Sequence, residues 1–84
     1  MNSLKLEDWN LYYEEAGAGD PVVLVHGMDS DHTVWNGILP LLEGTYRVLA
    51  VDLRGHGFSG KTPGNYTLKS FASDLIMFLD MLNI

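Results

Sequence analysis

The spacing of hydrophobic and polar residues predicts strands in the first third of the chain. Apolar and polar side chains alternate on both sides of Asp8-Trp9-Asn10 over residues 3–16, which is the two-residue period of a hairpin with a turn near 8–10. After a loop at Gly17–Pro21, the continuous run Val22–His26 has the pattern of a strand covered on both faces. Residues 27–31 are again a loop.

Two helices and a further strand are predicted in the rest of the chain. The first helix covers Thr33–Glu43, with a kink or restart at Pro40, and ends at Gly44. Arg47–Val51 is a second buried strand. A second helix follows the N-cap Thr67. Its predicted buried residues are Leu68, Phe71, Ala72, Leu75, Ile76, Phe78, Leu79 and Leu82.

The order of these elements predicts the fold class. Strand, helix, strand and helix form a βαβα unit, in which the two strands are parallel and joined by a right-handed crossover. The hairpin adds antiparallel strands at one side. We therefore expect one α/β domain whose sheet is incomplete, because the chain ends after a helix, where another strand would normally follow.

Composition excludes several classes of partner. The chain has 11 Asp and Glu against 5 Lys and Arg, whereas a nucleic-acid surface needs clustered cations. It has no cysteine, so disulfides and thiolate metal sites are excluded and a cytoplasmic location is expected. The start MNSLKLEDWN lacks the pattern of a signal peptide, and no apolar segment approaches the ~20 residues of a membrane span.

The stretch RGHGFSGK, residues 54–61, admits three interpretations. Gly55, Gly57 and Gly60 match the dinucleotide pattern G-x-G-x-x-G, but Pro63-Gly64 separates them from the next helix, so no cofactor is expected. Ser59 lies near the centre of a nucleophile-elbow pattern, but Lys61 occupies a position that requires a small residue. The remaining interpretation is a glycine-rich turn, including Thr62–Asn65 as a second turn, in which the Ser59 hydroxyl binds nearby backbone.

Taken together, three segments resemble the α/β-hydrolase superfamily in its lipase, esterase, lactonase and epoxide-hydrolase-like branch. They are VVLVHGMDSDHTVW, YRVLAVDLRGHGFSG and YTLKSFASDLIMFLDMLNI. The landmarks, in order, are a strand ending in His26-Gly27 with Trp35 soon after, the motif Asp52-x-Arg54-Gly55-x-Gly57-x-Ser59, and a long helix. The resemblance runs from about Leu11 to Ile84 and implies the N-terminal part of the hydrolase sheet.

This resemblance also implies roles for individual residues. The backbone N–H of Met28 is implied as one donor of an oxyanion hole, in a loop supported by His26 and by Gly27, which would allow a sharp turn. Asp29 and Trp35 are implied pocket residues. The structural turn comprises Asp52, Arg54, Gly55, His56, Gly57 and Ser59.

Three further expectations concern neighbouring side chains. Arg54 is expected to pair with Asp52 or with a neighbouring loop, and His32 to be solvated. No metal is expected, because no His or Cys accompanies Asp29 and Asp31 at ligand spacing.

In this family the serine, acid and histidine of the triad come in that order, and the serine follows the next strand. No nucleophile, acid or base is therefore expected within these residues. The predicted function is a segment of a serine-type ester or lactone hydrolase, inactive alone. Its expected partner is a complementary C-terminal hydrolase segment or a second copy, with a small-molecule substrate only in the complete enzyme. Two alternatives remain open: a structural or binding module, and epoxide, C–C bond or haloalkane hydrolysis on the same fold.

Overall fold

A computed structural model describes residues 2–64 and 66–84 as one four-stranded sheet with helices. The strands are β1 (Asn2–Lys5), β2 (Asn10–Ala16), β3 (Asp20–Val25) and β4 (Tyr46–Val51), in the order β1-β2-β4-β3. β1 and β2 form the predicted hairpin, and β2 is antiparallel to β4. β3 and β4 are parallel, which confirms the predicted α/β arrangement.

The two parallel strands differ in burial. Val48, Leu49, Ala50 and Val51 of β4 are completely buried, because β4 lies between two other strands. β3 was predicted to be covered on both faces, and this is wrong: Val25 is 39% exposed. The reason is its position, since β3 is an edge strand with no pairing on its outer side among the described residues.

The predicted helix Thr33–Glu43 is divided into two short pieces. A 3-10 helix covers His32–Trp35, and α1 covers only Leu39–Leu42. Pro40 lies in the first turn of α1, where its missing N–H costs no hydrogen bond, so a helix can begin there but cannot pass through. The restart predicted at Pro40 is therefore correct, and the continuous helix is not.

The long helix α2 covers Leu68–Met81 and begins as predicted. Thr67 and Ser70 form a reciprocal capping box, in which each hydroxyl accepts the other residue's backbone N–H. Phe71 and Phe78 are buried, and Phe78 packs edge-on against Tyr13 of β2 at 5.0 Å between ring centroids. The core thus lies between the sheet and this face of α2.

Three residues of α2 that were predicted to be buried are exposed. Leu68 is 82% and Ile76 61% exposed, and Ala72 is exposed with them. Apolar residues at positions 68, 72 and 76 form a second stripe, rotated away from the stripe that contacts the sheet. One helix can turn only one stripe towards one sheet. We call residues 68, 72 and 76 the outer stripe.

Two further sequence predictions concern a turn and membrane-spanning helices. The turn predicted at Thr62–Asn65 includes residue 65, which lies outside the described ranges. Within those ranges, the search for a helix that is both long and apolar enough to cross a membrane finds none.

Candidate active site

Two loops meet at the carboxyl ends of β3 and β4, the edge at which parallel sheets commonly hold functional groups. We call residues 27–31 the oxyanion loop, after the role that the sequence resemblance implies for it, and residues 54–60 the glycine turn. Between them lies an open cleft of about 560 Å³. Its lining residues are Met28, Asp29, Ser30, Arg54, Gly55, His56, Gly57, Lys61 and Tyr66. Of the two implied pocket residues, Asp29 lines this cleft and Trp35 does not.

The Asp52 carboxylate, completely buried at the end of β4, joins the two loops. Its Oδ1 accepts the backbone N–H of His32 at 2.6 Å, and its Oδ2 accepts the N–H of Phe58 at 2.9 Å. The His32 Nδ1 is 2.9 Å from both carboxylate oxygens. His32 is buried beside the rings of Tyr12 and Phe58, so the expectation that it is solvated is wrong.

Asp31, His32 and Asp52 place potential metal-ligand atoms within 4.8 Å of one another. Local spacing in the sequence does not reveal this group, because Asp52 is 20 residues away from His32. All three side chains are engaged in hydrogen bonds: Asp52 binds His32, and Asp31 accepts the N–H and hydroxyl of Thr33. The Thr33 hydrogen bonds also lower the pKa of Asp31. These contacts account for the cluster without an ion.

Gly57 allows the glycine turn to fold over Asp52. Its φ is +52°, and a Cβ there would lie 2.3–2.5 Å from the Asp52 carboxyl atoms. Only glycine fits so close an approach in this conformation. The glycines of this motif therefore close a turn over a carboxylate, and α2 begins only at Leu68, eight residues after Gly60.

Ser59 is buried, and its hydroxyl both accepts a hydrogen bond from the backbone and donates one to it. The Oγ accepts the Tyr12 N–H at 2.8 Å and donates to the Asp52 carbonyl at 2.6 Å. Next to it, the Gly60 N–H donates to the Asn10 carbonyl at 2.9 Å. The turn thus continues the pairing with β2 beyond the end of β4, and the Ser59 hydroxyl holds that turn through backbone groups.

Arg54 binds α2 instead of Asp52 or a neighbouring loop. Its Nε and Nη2 donate to the two carboxylate oxygens of Asp74 at 3.0 and 2.7 Å, and the guanidinium lies 5.1 Å from the centroid of the Trp9 ring. The Asp74 hydrogen bonds raise the pKa of Arg54. The sequence signal that could have predicted this pair is an acidic residue, Asp74, among the apolar residues of a helix.

His26 and His56 each accept a backbone N–H from the opposite side of the cleft. The Nε2 of His26, which precedes the oxyanion loop, accepts the Leu53 N–H at 3.0 Å. The Nε2 of His56, in the glycine turn, accepts the Asp29 N–H at 3.1 Å. The two rings are 5.0 Å apart between centroids and tilted by 50°.

The hydrogen bonds of these rings also fix their tautomers. A backbone N–H can only donate, so Nε2 is the acceptor in both rings and Nδ1 carries the hydrogen of the neutral form. Nδ1 of His26 then donates to the Gly27 carbonyl at 2.6 Å, and Nδ1 of His56 to the Arg54 carbonyl at 2.9 Å. Neither ring has a nitrogen left over for a substrate.

The oxyanion loop turns at Asp29 and not at Gly27. Asp29 has a φ of +63°, whereas Gly27 is not among the residues with positive φ, and a Cβ added to Gly27 would contact nothing within 4 Å. The sharp turn expected at Gly27 therefore lies two residues later, at Asp29. The Ser30 N–H closes it on the Gly27 carbonyl at 3.2 Å. Over the described ranges, the N–H of Met28 finds no acceptor.

Known proteins similar to this chain share its fold. A candidate non-heme chloroperoxidase from Synechocystis sp. is 38% identical over 76 residues, covering 89% of this chain and 28% of that protein. A thermophilic esterase from Thermogutta terrifontis, crystallised with malate, is 39% identical with a TM-score of 0.85 over 89% of this chain and 28% of its own. A mutant of the haloalkane dehalogenase DatA from Agrobacterium tumefaciens is 31% identical, with a TM-score of 0.92. The match covers 99% of this chain and 29% of the dehalogenase.

The chain thus spans less than a third of the length of each of these proteins. A family model for the alpha/beta hydrolase fold matches residues 20–84, which include β3, β4, both loops and α2. The His26-Gly27 loop and the turn over Asp52 lie within this match, and β1 and β2 come before it. The chain belongs to the alpha/beta hydrolase fold family.

Proposed function

We propose that this chain is part of a serine-type hydrolase of carboxylic esters or lactones, and that it contributes the Met28 N–H to the oxyanion hole. The observation that carries this proposal is the Met28 N–H itself, which has no acceptor among the described residues and belongs to a residue lining the cleft. Met28 is 56% exposed at the open cleft, so a substrate in the cleft can reach this residue. A developing alkoxide oxygen is the partner that such a donor would serve.

The side chains of this chain support a role in stabilising charge rather than in proton transfer. Ser59 donates its hydroxyl proton to backbone, and the rings of His26 and His56 are held by backbone groups at both nitrogens. His32 is held by the Asp52 carboxylate. In this proposal the nucleophile, acid and base come from residues other than these.

Esters and lactones are preferred because both pass through the same tetrahedral oxyanion, and a backbone N–H donor suits that intermediate. The similarity to the Thermogutta esterase, at 39% identity, favours the same class. The similarity to a haloalkane dehalogenase favours halide displacement as the second candidate. We also propose a cytoplasmic location, supported by the absence of cysteine.

The complete natural protein tests this proposal with two variants at one position. Met28→Pro removes the backbone N–H, whereas Met28→Ala removes only the side chain. Loss of one oxyanion donor lowers kcat by about 10²–10³-fold, so Met28→Pro should lose that much activity on a p-nitrophenyl ester or a lactone. Met28→Ala should keep kcat within about tenfold, since its N–H is unchanged. Equal kcat values for the two variants would contradict the proposal.

A second measurement covers the case in which Met28→Pro does not fold. A phosphonate that traps the serine of the complete protein mimics the tetrahedral oxyanion. It should shift the Met28 amide proton downfield in an NMR spectrum, because that N–H would then donate to a charged oxygen. An unchanged Met28 amide in the trapped protein would argue against the role, and release of halide from chloroalkanes without ester cleavage would select the second candidate.

A further inference from the structure

We propose that His56 is a positioning residue that holds the oxyanion loop in its working conformation. Its Nε2 accepts the Asp29 N–H at 3.1 Å, and Asp29 has the left-handed φ of +63° at the turn of that loop. This inference rests on the proposed function, in which the preceding residue, Met28, supplies the oxyanion donor. Met28 and Asp29 share a peptide bond, and the hydrogen bond to His56 fixes the N–H of that peptide.

The need for such a residue follows from the backbone of the oxyanion loop. A non-glycine residue with positive φ is less stable than in its ordinary conformations and persists only when its surroundings hold it there. The Ser30 N–H binds the Gly27 carbonyl at 3.2 Å, which closes the turn from within the loop. The bond to His56 is the contact that the Asp29 N–H makes, and it comes from a different loop, 27 residues away.

The ring of His56 is itself held on three sides. Its Nδ1 donates to the Arg54 carbonyl at 2.9 Å, and Arg54 is bound by both oxygens of Asp74 in α2. The ring packs against His26 at 5.0 Å and edge-on against Phe71 of α2 at 6.1 Å between centroids. An acceptor that is fixed in this way can fix the group that it binds.

The arrangement is reciprocal, since the Nε2 of His26 accepts the Leu53 N–H beside the glycine turn at 3.0 Å. One imidazole thus comes from the residue before the oxyanion loop and the other from the glycine turn, and each accepts a backbone N–H in or next to the opposite loop. Among the described residues, the Asp29 N–H is the one backbone group of the oxyanion loop that the glycine turn binds, so His56 is the member of the pair that acts on the residue next to the donor.

Two variants of the complete natural protein separate the hydrogen bond from the ring. His56→Phe keeps a ring against His26 and Phe71 but has no acceptor. His56→Gln has a carbonyl oxygen near the position of Nε2 but no ring. We expect His56→Phe to lower kcat for ester hydrolysis at least about tenfold with KM within about twofold, because the donor is misplaced in the transition state. His56→Gln should recover most of that loss. If His56→Gln is impaired as much as His56→Phe, or if His56→Phe retains wild-type kcat, the inference is wrong.

NMR tests the same inference without any substrate. In protein labelled with ¹⁵N-histidine, the His56 ring should show a protonated Nδ1 and an unprotonated Nε2, assigned by its disappearance in His56→Gln. The Asp29 amide should exchange with solvent at least about tenfold faster in His56→Phe than in wild type. A His56 ring protonated at Nε2, or an Asp29 amide that exchanges equally in both proteins, would overturn the inference. If the wild-type protein cleaves neither esters nor lactones, the proposed function fails, and these two NMR results decide the role of His56 by themselves.

Discussion

At the scale of single residues, the Asp52 carboxylate connects the glycine turn to the residue that follows the oxyanion loop. It accepts hydrogen bonds from His32 and Phe58, and its atoms occupy the space beside Gly57 in which a Cβ would otherwise lie. Such a buried carboxylate is stable only while its acceptor positions are filled. Small changes around it should therefore have large effects.

Gly57→Ala should strongly destabilise the protein. The methyl group would lie 2.3–2.5 Å from the Asp52 carboxyl atoms in a backbone conformation that alanine rarely adopts. We expect the free energy of unfolding to fall by about 2–4 kcal/mol in urea denaturation. Gly37→Ala is the matched control, because nothing lies within 4 Å of its added Cβ and its φ is not positive. Similar losses in the two variants would show that the close approach to Asp52 is not the cause.

Tyr12 should make stability depend on pH in the alkaline range. Its hydrogen bond to Glu14, its burial and the charges of Glu14 and Asp52 raise its pKa from 10.0 to about 12. An unfolded chain loses this phenol proton first as pH rises, so stability that is present below pH 10 is lost between pH 10 and about 12. Urea denaturation across this range should show a smaller decline in Tyr12→Phe than in wild type. Identical declines would contradict the assignment to Tyr12.

The limits of sequence reasoning are clearest at His32 and Arg54. Polar residues surround His32 in the sequence, and this local context indicates a solvated loop. Its actual partner, Asp52, lies 20 positions later. Arg54 likewise pairs with Asp74, another 20 positions along. Composition and periodicity carry no information on such pairs, whereas the turn around Gly57 and Ser59 follows from the identity of its residues.

At the scale of elements, α2 is fixed to the rest of the molecule by one apolar face and one ion pair. Phe71 and Phe78 fill the core, and Asp74 lies between them on the same side of the helix and binds Arg54. The apolar pattern predicted the helix and its N-cap correctly. It could not select between two apolar stripes, because that choice depends on the position of the sheet.

Removing Asp74 should detach this helix from the glycine turn. Asp74→Ala leaves the half-buried Arg54 guanidinium without its carboxylate, and breaking a buried pair in this way costs about 3 kcal/mol of unfolding free energy. Asp80→Ala, on an exposed position of the same helix, should change stability by less than about 0.5 kcal/mol. Thermal or urea unfolding of both variants tests this. A loss from Asp80→Ala as large as that from Asp74→Ala would point to helix propensity rather than to the ion pair.

At the scale of the whole molecule, the described residues include a sheet edge and a helix stripe that expose apolar side chains. One is the outer edge of β3, where Val25 is exposed, and the other is the outer stripe of α2. An unpaired strand edge next to exposed apolar side chains favours association. A complementary hydrolase segment or a second copy of this chain is therefore the partner that we propose for these surfaces.

The 84-residue chain on its own should associate at micromolar concentration. Sedimentation should show species heavier than 9.3 kDa, because the edge of β3 and the outer stripe would otherwise stay in water. Lysine at position 76 in place of isoleucine places a charge in the outer stripe and should reduce this association, while the same change at the exposed Leu41 serves as the control. A monodisperse 9.3 kDa species with cooperative unfolding would contradict the prediction.

The central position of β4 has a consequence for the order in which the sheet opens. β4 pairs with β2 on one side and β3 on the other, whereas β1 and β3 each have one neighbour. The amides of β4 are divided between its two neighbours, so complete exchange along β4 requires both ladders to separate, whereas the hairpin strand β1 can fray without disturbing the others. Deuterium uptake should therefore begin at β1 and reach Val48–Val51 last. A protease acting on the partly open molecule would meet the N-terminal hairpin long before it reached the strand that carries Asp52.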